Sequence, residues 1–285
     1  MKIRPLLFFL YCGGIPVAFS QRCSVIAEIP GFRHPESVAF DGRHFFVSNV
    51  GSTLAPLEKD GDGYISRLTR TGALQDSSYF PSVRLHAPKG MVVLNELLYV
   101  ADVGRIVVLD IRSRRLVREK DLSAYCSFVN DLAARDEERL FFTCSDKNTV
   151  MQWDIAADSV ITLNPDPIPG ANGLSWDFLN GDLYVAGMGA SGKPGFFYKL
   201  DVKGRNLQNI SSLEGFWDGL HLVRGQLLGT DWKTGRLYSV NLKTGLETIL
   251  DCGKVFSGPA DFLYQQGKIY LPAMKEGKLY VLRVD

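Results

Sequence analysis

Gly170-Ala-Asn-Gly-Leu-Ser-Trp176 and Phe216-Trp-Asp-Gly-Leu-His-Leu222 are two copies of one pattern, a turn carrying a polar residue that runs straight into an apolar strand. Four more copies flank them: His34-Pro-Glu-Ser-Val-Ala-Phe40, Ala87-Pro-Lys-Gly-Met-Val-Val93, Phe128-Val-Asn-Asp-Leu-Ala133 and Gly258-Pro-Ala-Asp-Phe-Leu-Tyr264. Each is followed by a second strand-like run, at 44–48, 97–101, 140–144, 182–186, 226–230 and 268–272, and by a third, at 63–68, 105–110, 149–154, 195–200, 236–241 and 278–283. Short apolar or alternating runs separated by glycine and polar turns are strand signals, and a unit that repeats about every forty residues is the signature of a radial array. Polar fourth strands follow the first five units, for example 158–164 and 246–251. The sixth unit has none, and Cys23-Ser-Val-Ile-Ala-Glu-Ile-Pro30 is expected to supply it by pairing with the C-terminal strands. The expectation is an all-β chain: a six-bladed β-propeller of four-stranded blades, with an N-terminal strand completing the last blade. An open β-sandwich is the competitor and does not account for six copies of one unit.

The composition agrees with a single domain over 21–285. Of the 285 residues, 46% are hydrophobic and 22% charged, and 28 are glycine, as many short strands with tight turns require. With 32 basic and 31 acidic residues and no long block of one sign, nothing favours nucleic acid or an anionic membrane. The basic stretch at 112–118 reads as a solvated hairpin. Residues 1–20 read as a secretory signal: Lys2 and Arg4, an apolar run from Leu6 to Phe19, and Ala18-Phe19-Ser20 as the cleavage pattern before Gln21. The run is short and broken by Gly13, Gly14 and Pro16, so no membrane insertion is expected after cleavage and the product is expected to be secreted or periplasmic. Cys23, Cys126, Cys144 and Cys252 would remain. They are either two disulfides, in one of three pairings, or small buried apolar residues; no C-x-x-C spacing suggests zinc.

The position just inside each turn reads Glu36, Lys89, Asn130, Asn172, Asp218 and Asp261, at intervals of 53, 41, 42, 46 and 43 residues. The long first interval contains the insertion 52–62. In a propeller these positions converge on one axis at the channel mouth. Carboxylates gathered there repel one another unless a cation or a proton intervenes, and amide oxygens add neutral hard donors. Such an all-oxygen set suits calcium best and magnesium or manganese next; zinc is accommodated less well, since no histidine or cysteine joins the set. The alternative is a purely structural ring of hydrogen bonds. Asp218, Asp131 and Asp261 are the candidate proton acceptors; Lys89, a further catalytic candidate, is either a charge partner of Asp261 or Asp131 or a cation that lowers the local need for a metal. His34 and His86 lie near the same mouth, Phe128 and Trp217 flank ring positions, and Asp60-Gly-Asp62-Gly reads as a turn or a peripheral calcium loop. Asn209-Ile-Ser211 fits a glycosylation sequon. The nucleophile elbow and the phosphate-binding glycine loops are missing.

Pro35-Glu36, Asn130-Asp131, Asn172-Gly-Leu174 and Asp218-Gly-Leu220, one per unit and in this order, resemble the senescence marker protein/gluconolactonase/luciferin-regenerating-enzyme family, with paraoxonases and strictosidine synthases as more distant relatives. The resemblance covers nearly all of 23–285. It implies one catalytic divalent cation, with Glu36, Asn172 and Asp218 as its core ligands and Asn130 bordering metal and substrate. It also implies a role for Asp218 in proton transfer and hydrolysis of a small-molecule lactone or related ester. His-Pro-Glu-Ser replaces the more usual Glu-Gly-Pro, and Lys89 and Asp261 have no counterpart in the gluconolactonase pattern. Two further functions fit the scaffold: a non-catalytic propeller holding a ligand or protein at the same mouth, and a sugar or lactone oxidoreductase or lyase.

Overall fold

A computed structural model describes residues 21–203 and 205–284. The segment read as an export signal lies outside the described residues. Strand β1 spans Gln21–Pro30. The first unit is β2 (Pro35–Phe40), β3 (His44–Asn49), β4 (Tyr64–Thr69) and β5 (Leu74–Asp76); the second is β6 (Met91–Leu94), β7 (Leu97–Asp102), β8 (Arg105–Asp110) and β9 (Arg115–Asp121). The third is β10 (Val129–Ala134), β11 (Arg139–Cys144), β12 (Thr149–Asp154) and β13 (Ser159–Thr162); the fourth is β14 (Ala171–Asp177), β15 (Asp182–Gly187), β16 (Phe197–Asp201) and β17 (Asn206–Asn209). The fifth is β18 (Trp217–Val223), β19 (Gln226–Asp231), β20 (Arg236–Asn241) and β21 (Glu247–Asp251); the last is β22 (Leu263–Gln265), β23 (Lys268–Ala273) and β24 (Lys278–Val284), with one short 3-10 turn, Met274–Glu276.

The chain is all-β with a propeller-like arrangement of four-stranded sheets. The first four units are separate antiparallel sheets, and the other eight strands form one sheet ordered β18-β19-β20-β21-β1-β24-β23-β22. That sheet departs from the expected set of separate blades. The cause is β1, which pairs antiparallel with β24 from Cys23 to Pro30 and then runs two residues further to meet β21 in parallel, Gln21 against Leu250 and Arg22 against Asp251. The first strands of the units touch in sequence, β2 to β6, β10, β14, β18, β22 and back to β2, so they close a ring.

Within a unit the pattern of burial follows the position in the sheet. The second strands are buried on both faces, as in Phe45, Phe46 and Val47, because each lies between neighbouring units. The outermost strands are largely exposed, as β9 is, with both Leu116 and Val117 open to water. Three hairpins joining first to second strands turn on two residues with positive φ: Asn95-Glu96, Arg224-Gly225 and Gln266-Gly267. That mirror-image turn matches the right-handed twist of the strands it joins.

Both cysteine pairs form disulfides, Cys23 with Cys252 and Cys126 with Cys144. The first fastens β1 beside β21; the second joins the approach to β10 with the end of β11. Replacing Cys252 with serine is expected to cost about 2–4 kcal/mol, read by urea unfolding under non-reducing conditions. An unchanged midpoint would mean that strand pairing alone holds β1.

Candidate functional site

Four of the six first strands carry a bulge at one matched place. In β2 the register jumps from Pro35↔Asn49 to Val38↔Val47, in β10 from Val129↔Cys144 to Leu132↔Phe142, in β14 from Ala171↔Gly187 to Leu174↔Val185, and in β18 from Trp217↔Asp231 to Leu220↔Gly229. Two residues on the first strand therefore face one on the second. The first residue of each pair is Glu36, Asn130, Asn172 or Asp218. A bulge bends its strand and re-aims the side chain, and here it swings four oxygen-bearing groups toward the channel. The second residue of the bulge loses its ladder partner. In three units a hydroxyl directly opposite replaces it: Ser48 Oγ accepts from Ser37 N at 2.9 Å, Thr143 Oγ1 from Asp131 N at 2.9 Å, and Thr230 Oγ1 from Gly219 N at 2.8 Å. These hydroxyls were not anticipated, although Ser48, Thr143 and Thr230 occupy one matched position in three second strands.

The glycines of Asn172-Gly-Leu and Asp218-Gly-Leu follow from the closeness of adjacent units. A Cβ on Gly173 would stand 2.3 Å from the Asp218 carbonyl oxygen, and one on Gly219 would stand 2.7 Å from the Asp261 Cα. Lys89 and Asp261 sit outside the bulged set. Both precede their strands, because β6 begins only at Met91 and β22 only at Leu263.

Glu36, Lys89, Asn130, Asn172 and Asp218 line one cavity of about 500 Å³ at the channel mouth, within the usual size range for small-molecule sites. All five are buried. Asn130 Nδ2 donates to Ser145 Oγ at 3.0 Å, which donates to the Ala171 carbonyl at 2.6 Å. Glu36 Oε2 and Asp218 Oδ1 are buried without a hydrogen-bond partner. Burial raises the Glu36 carboxyl well above its ordinary range, and the nearby Asp218 and Asp261 charges raise it further. Burial, then the charge of Asp261, pushes Asp218 to about 8. Two orphaned carboxylate oxygens beside two amide side chains form a donor set that fits a hard divalent cation.

Asp131 and Asp261 do not line this cavity. Asp131 Oδ1 accepts from Leu132 N at 2.7 Å, and its Oδ2 accepts from Leu174 N at 2.6 Å, which ties β10 to β14. Asp261 Oδ2 accepts from Ser37 Oγ at 2.5 Å, which ties the last unit to β2. Lys89 does not pair with either of them. Its Nζ donates to the Ala87 carbonyl at 2.8 Å and lies 5.0 Å from the centre of the Phe128 ring. Burial lowers its ammonium to about 8, against the attraction of Glu36 and Asp102. Asp102 holds the approach to Lys89 by accepting from His86 N and Ala87 N, and it is itself paired with Arg105 at 2.7 Å.

Neither His34 nor His86 lines the cavity; the His34 ring bonds the Gly51 carbonyl at 3.0 Å. Phe128 is on the cavity wall, whereas Trp217 packs between the fourth and fifth units, 4.3 Å from the Phe197 ring centre. The Asp60–Asp62 turn closes on itself: Asp62 accepts from Ser52 N and Ser52 Oγ, and Asp62 N donates to Asp60 Oδ1. A larger cleft of about 880 Å³ follows the outer edge of β21, where β1 covers only two residues. It gathers no orphaned polar groups.

No protein-family model matches the sequence, and no curated protein sequence matches it. Solved structures do match. A gluconolactonase from Xanthomonas campestris is 14% identical with a TM-score of 0.69, covering 94% of this chain and 96% of that one. A catalytically inactive virginiamycin B lyase from Staphylococcus aureus, solved with quinupristin, is 13% identical at a TM-score of 0.62, covering 93% and 100%. A chain of a nidogen/laminin complex is 15% identical at 0.62, covering 77% and 80%. At these identities the likeness is one of fold, and it spans nearly the whole described chain for the two enzymes.

The buried carboxyls make the metal-free protein sensitive to pH. A carboxyl whose pKa is raised on folding stabilises the fold fully below its unfolded pKa and loses that contribution as pH climbs toward the folded value. For Asp218 this window runs from its ordinary 3.8 to about 8. With chelator present, the melting temperature is therefore expected to fall between about pH 5 and pH 8. Saturating calcium is expected to abolish most of that fall. A chelated protein equally stable at both ends would show that these carboxyls have another partner.

Proposed function

We propose that the chain is an exported, calcium-dependent hydrolase of lactones or related esters. In this reading the eight-stranded sheet is two blades joined by β1, and the molecule is a six-bladed propeller. Glu36, Asn130, Asn172 and Asp218 would hold the ion. The observation that carries this is the pair of orphaned, buried oxygens on Glu36 and Asp218, brought with two amides into one cavity by matched bulges. Export is supported by the N-terminal signal pattern and by two disulfides, which persist in oxidising compartments.

A dication held by Glu36, Asn130, Asn172 and Asp218 would supply Lewis-acid polarisation of an ester carbonyl. The remaining chemistry belongs to the chain. In this reading Asp218, which lines the cavity and is ionised once a cation is held beside it, takes a proton from the attacking water. Lys89 has N–H groups beyond the one given to Ala87 and can donate to the carbonyl oxygen as negative charge develops on it. Asp131 and Asp261 keep the strands in register and take no part in proton transfer.

The test is a panel of lactones and aryl esters assayed with calcium and with chelator. Hydrolysis that needs calcium and is lost in Asp218→Asn supports the reading. Saturable binding of the same compounds with no turnover in either condition would replace it with a non-catalytic binding propeller.

A further inference from the structure

Beside the polar cluster of Glu36, Lys89, Asn130, Asn172 and Asp218, the cavity is lined by Val50, Leu54, Pro56, Phe128, Met188 and Met274. The other polar side chains on the lining are already engaged. Ser145 Oγ accepts from Asn130 and donates to the Ala171 carbonyl. Asp146 accepts from Ser127 N, Ser127 Oγ and Phe128 N. Three lining backbone N–H groups are occupied too: Gly189 N donates to Pro169 O, Gly170 N to Asn148 Oδ1, and Met188 N to the Gly170 carbonyl. Apart from the proposed metal ligands, Lys89 is the lining side chain that keeps donors in hand, two of its three N–H groups.

A ligand that fills this cavity needs one polar head beside that cluster and apolar surface elsewhere. A polyhydroxylated ring fits poorly. Each of its hydroxyls would leave water for a methyl, a thioether or an aromatic face, and an unpaired buried hydroxyl is strongly unfavourable. We propose that the substrate class is an alkyl- or aryl-substituted lactone or ester, with a single ester head beside Lys89 and an apolar tail against Phe128, Leu54 and Met188, and not a sugar lactone. The inference rests on the reading of this cavity as the substrate site and adds the chemistry of what enters it. Leu54 and Pro56 belong to the insertion after β3, so the first unit supplies much of the apolar wall through the segment that lengthens the repeat.

The test uses two six-membered δ-lactams, which keep the ring and carbonyl but resist hydrolysis: the pentyl-substituted analogue of δ-decalactone and gluconolactam. Binding is followed through Trp232, which lines the same cavity, with calcium and separately with chelator. The pentyl lactam is expected to bind at least about tenfold more tightly than gluconolactam in calcium, since burying each tail methylene is favourable by roughly 0.8 kcal/mol. Leu54→Asp is expected to remove most of that preference, and Met188→Ser, on another wall, serves if the first variant does not fold. Equal or tighter binding of gluconolactam overturns the proposal. So does failure of the pentyl lactam to saturate, or an unchanged preference in a folded wall variant. Hydrolysis is not read here: a protein inactive in the lactone and ester assay that still prefers the pentyl lactam loses the hydrolase reading and keeps the preference of its cavity for a ligand with one polar head and an apolar tail.

Discussion

Asp218→Ala is expected to give a folded protein that no longer binds calcium. Asp218 supplies one of two orphaned carboxylate oxygens among the cavity-lining residues. Its removal deletes one charged ligand of the proposed site, so calcium affinity is expected to fall about 100-fold or more. The fold should not suffer, because strand β18 keeps its bulge through Gly219 N and Thr230 Oγ1. With chelator at pH 8 the variant should melt at or above the wild-type temperature, since it no longer buries an ionised group without a partner. Asp218→Asn keeps one neutral oxygen and should bind calcium between the two. Calorimetric titration checks the affinities and thermal melts check the fold; wild-type affinity in the alanine variant removes Asp218 from the site.

Deleting residues 23–30 should be the most damaging change outside the cavity. This segment pairs with β24 from Cys23↔Val284 to Pro30↔Lys278, covering a strand whose Leu279, Tyr280 and Leu282 are fully buried. The deletion bares the edge of β24, strips one side of that apolar layer and removes the Cys23–Cys252 disulfide. It also removes the strand that lies between β21 and β24 in the eight-stranded sheet. A loss of at least about 5 kcal/mol is expected, comparable to the whole stability of an ordinary domain. Denaturant unfolding of the truncated chain is the measurement. A truncated protein that unfolds at the full-length midpoint would mean that ring closure owes nothing to β1.

Much of this was legible from residue order. The six turn-and-strand units follow from apolar runs at a regular spacing, and the pairing of 23–30 with the C-terminal strands follows from the missing fourth strand of the last unit. The convergence of Glu36, Lys89, Asn130, Asn172 and Asp218 follows once the units are arranged around an axis. The bulges were not legible. Inserting one residue into a strand leaves its apolar pattern intact, and only the cross-strand register reveals it. For the same reason sequence spacing did not separate Asn130 from Asp131, which are neighbours on one strand. One side chain lines the cavity and the other bonds the backbone of the next unit. Asp261 was expected at the mouth because its turn matches the others, but it faces Ser37. Nor does composition show that the outer end of β1 reaches β21, a contact of two residues set by the path of one strand.

The central claim is that four side chains from four separate sheets share one cation. Anomalous diffraction from crystals grown with manganese, with data collected near its absorption edge, tests it most directly. The account predicts one strong peak in the cavity, about 2.0–2.6 Å from oxygens of Glu36, Asn172 and Asp218. Manganese bound only elsewhere, with those oxygens hydrogen-bonded to water and to one another, would contradict it.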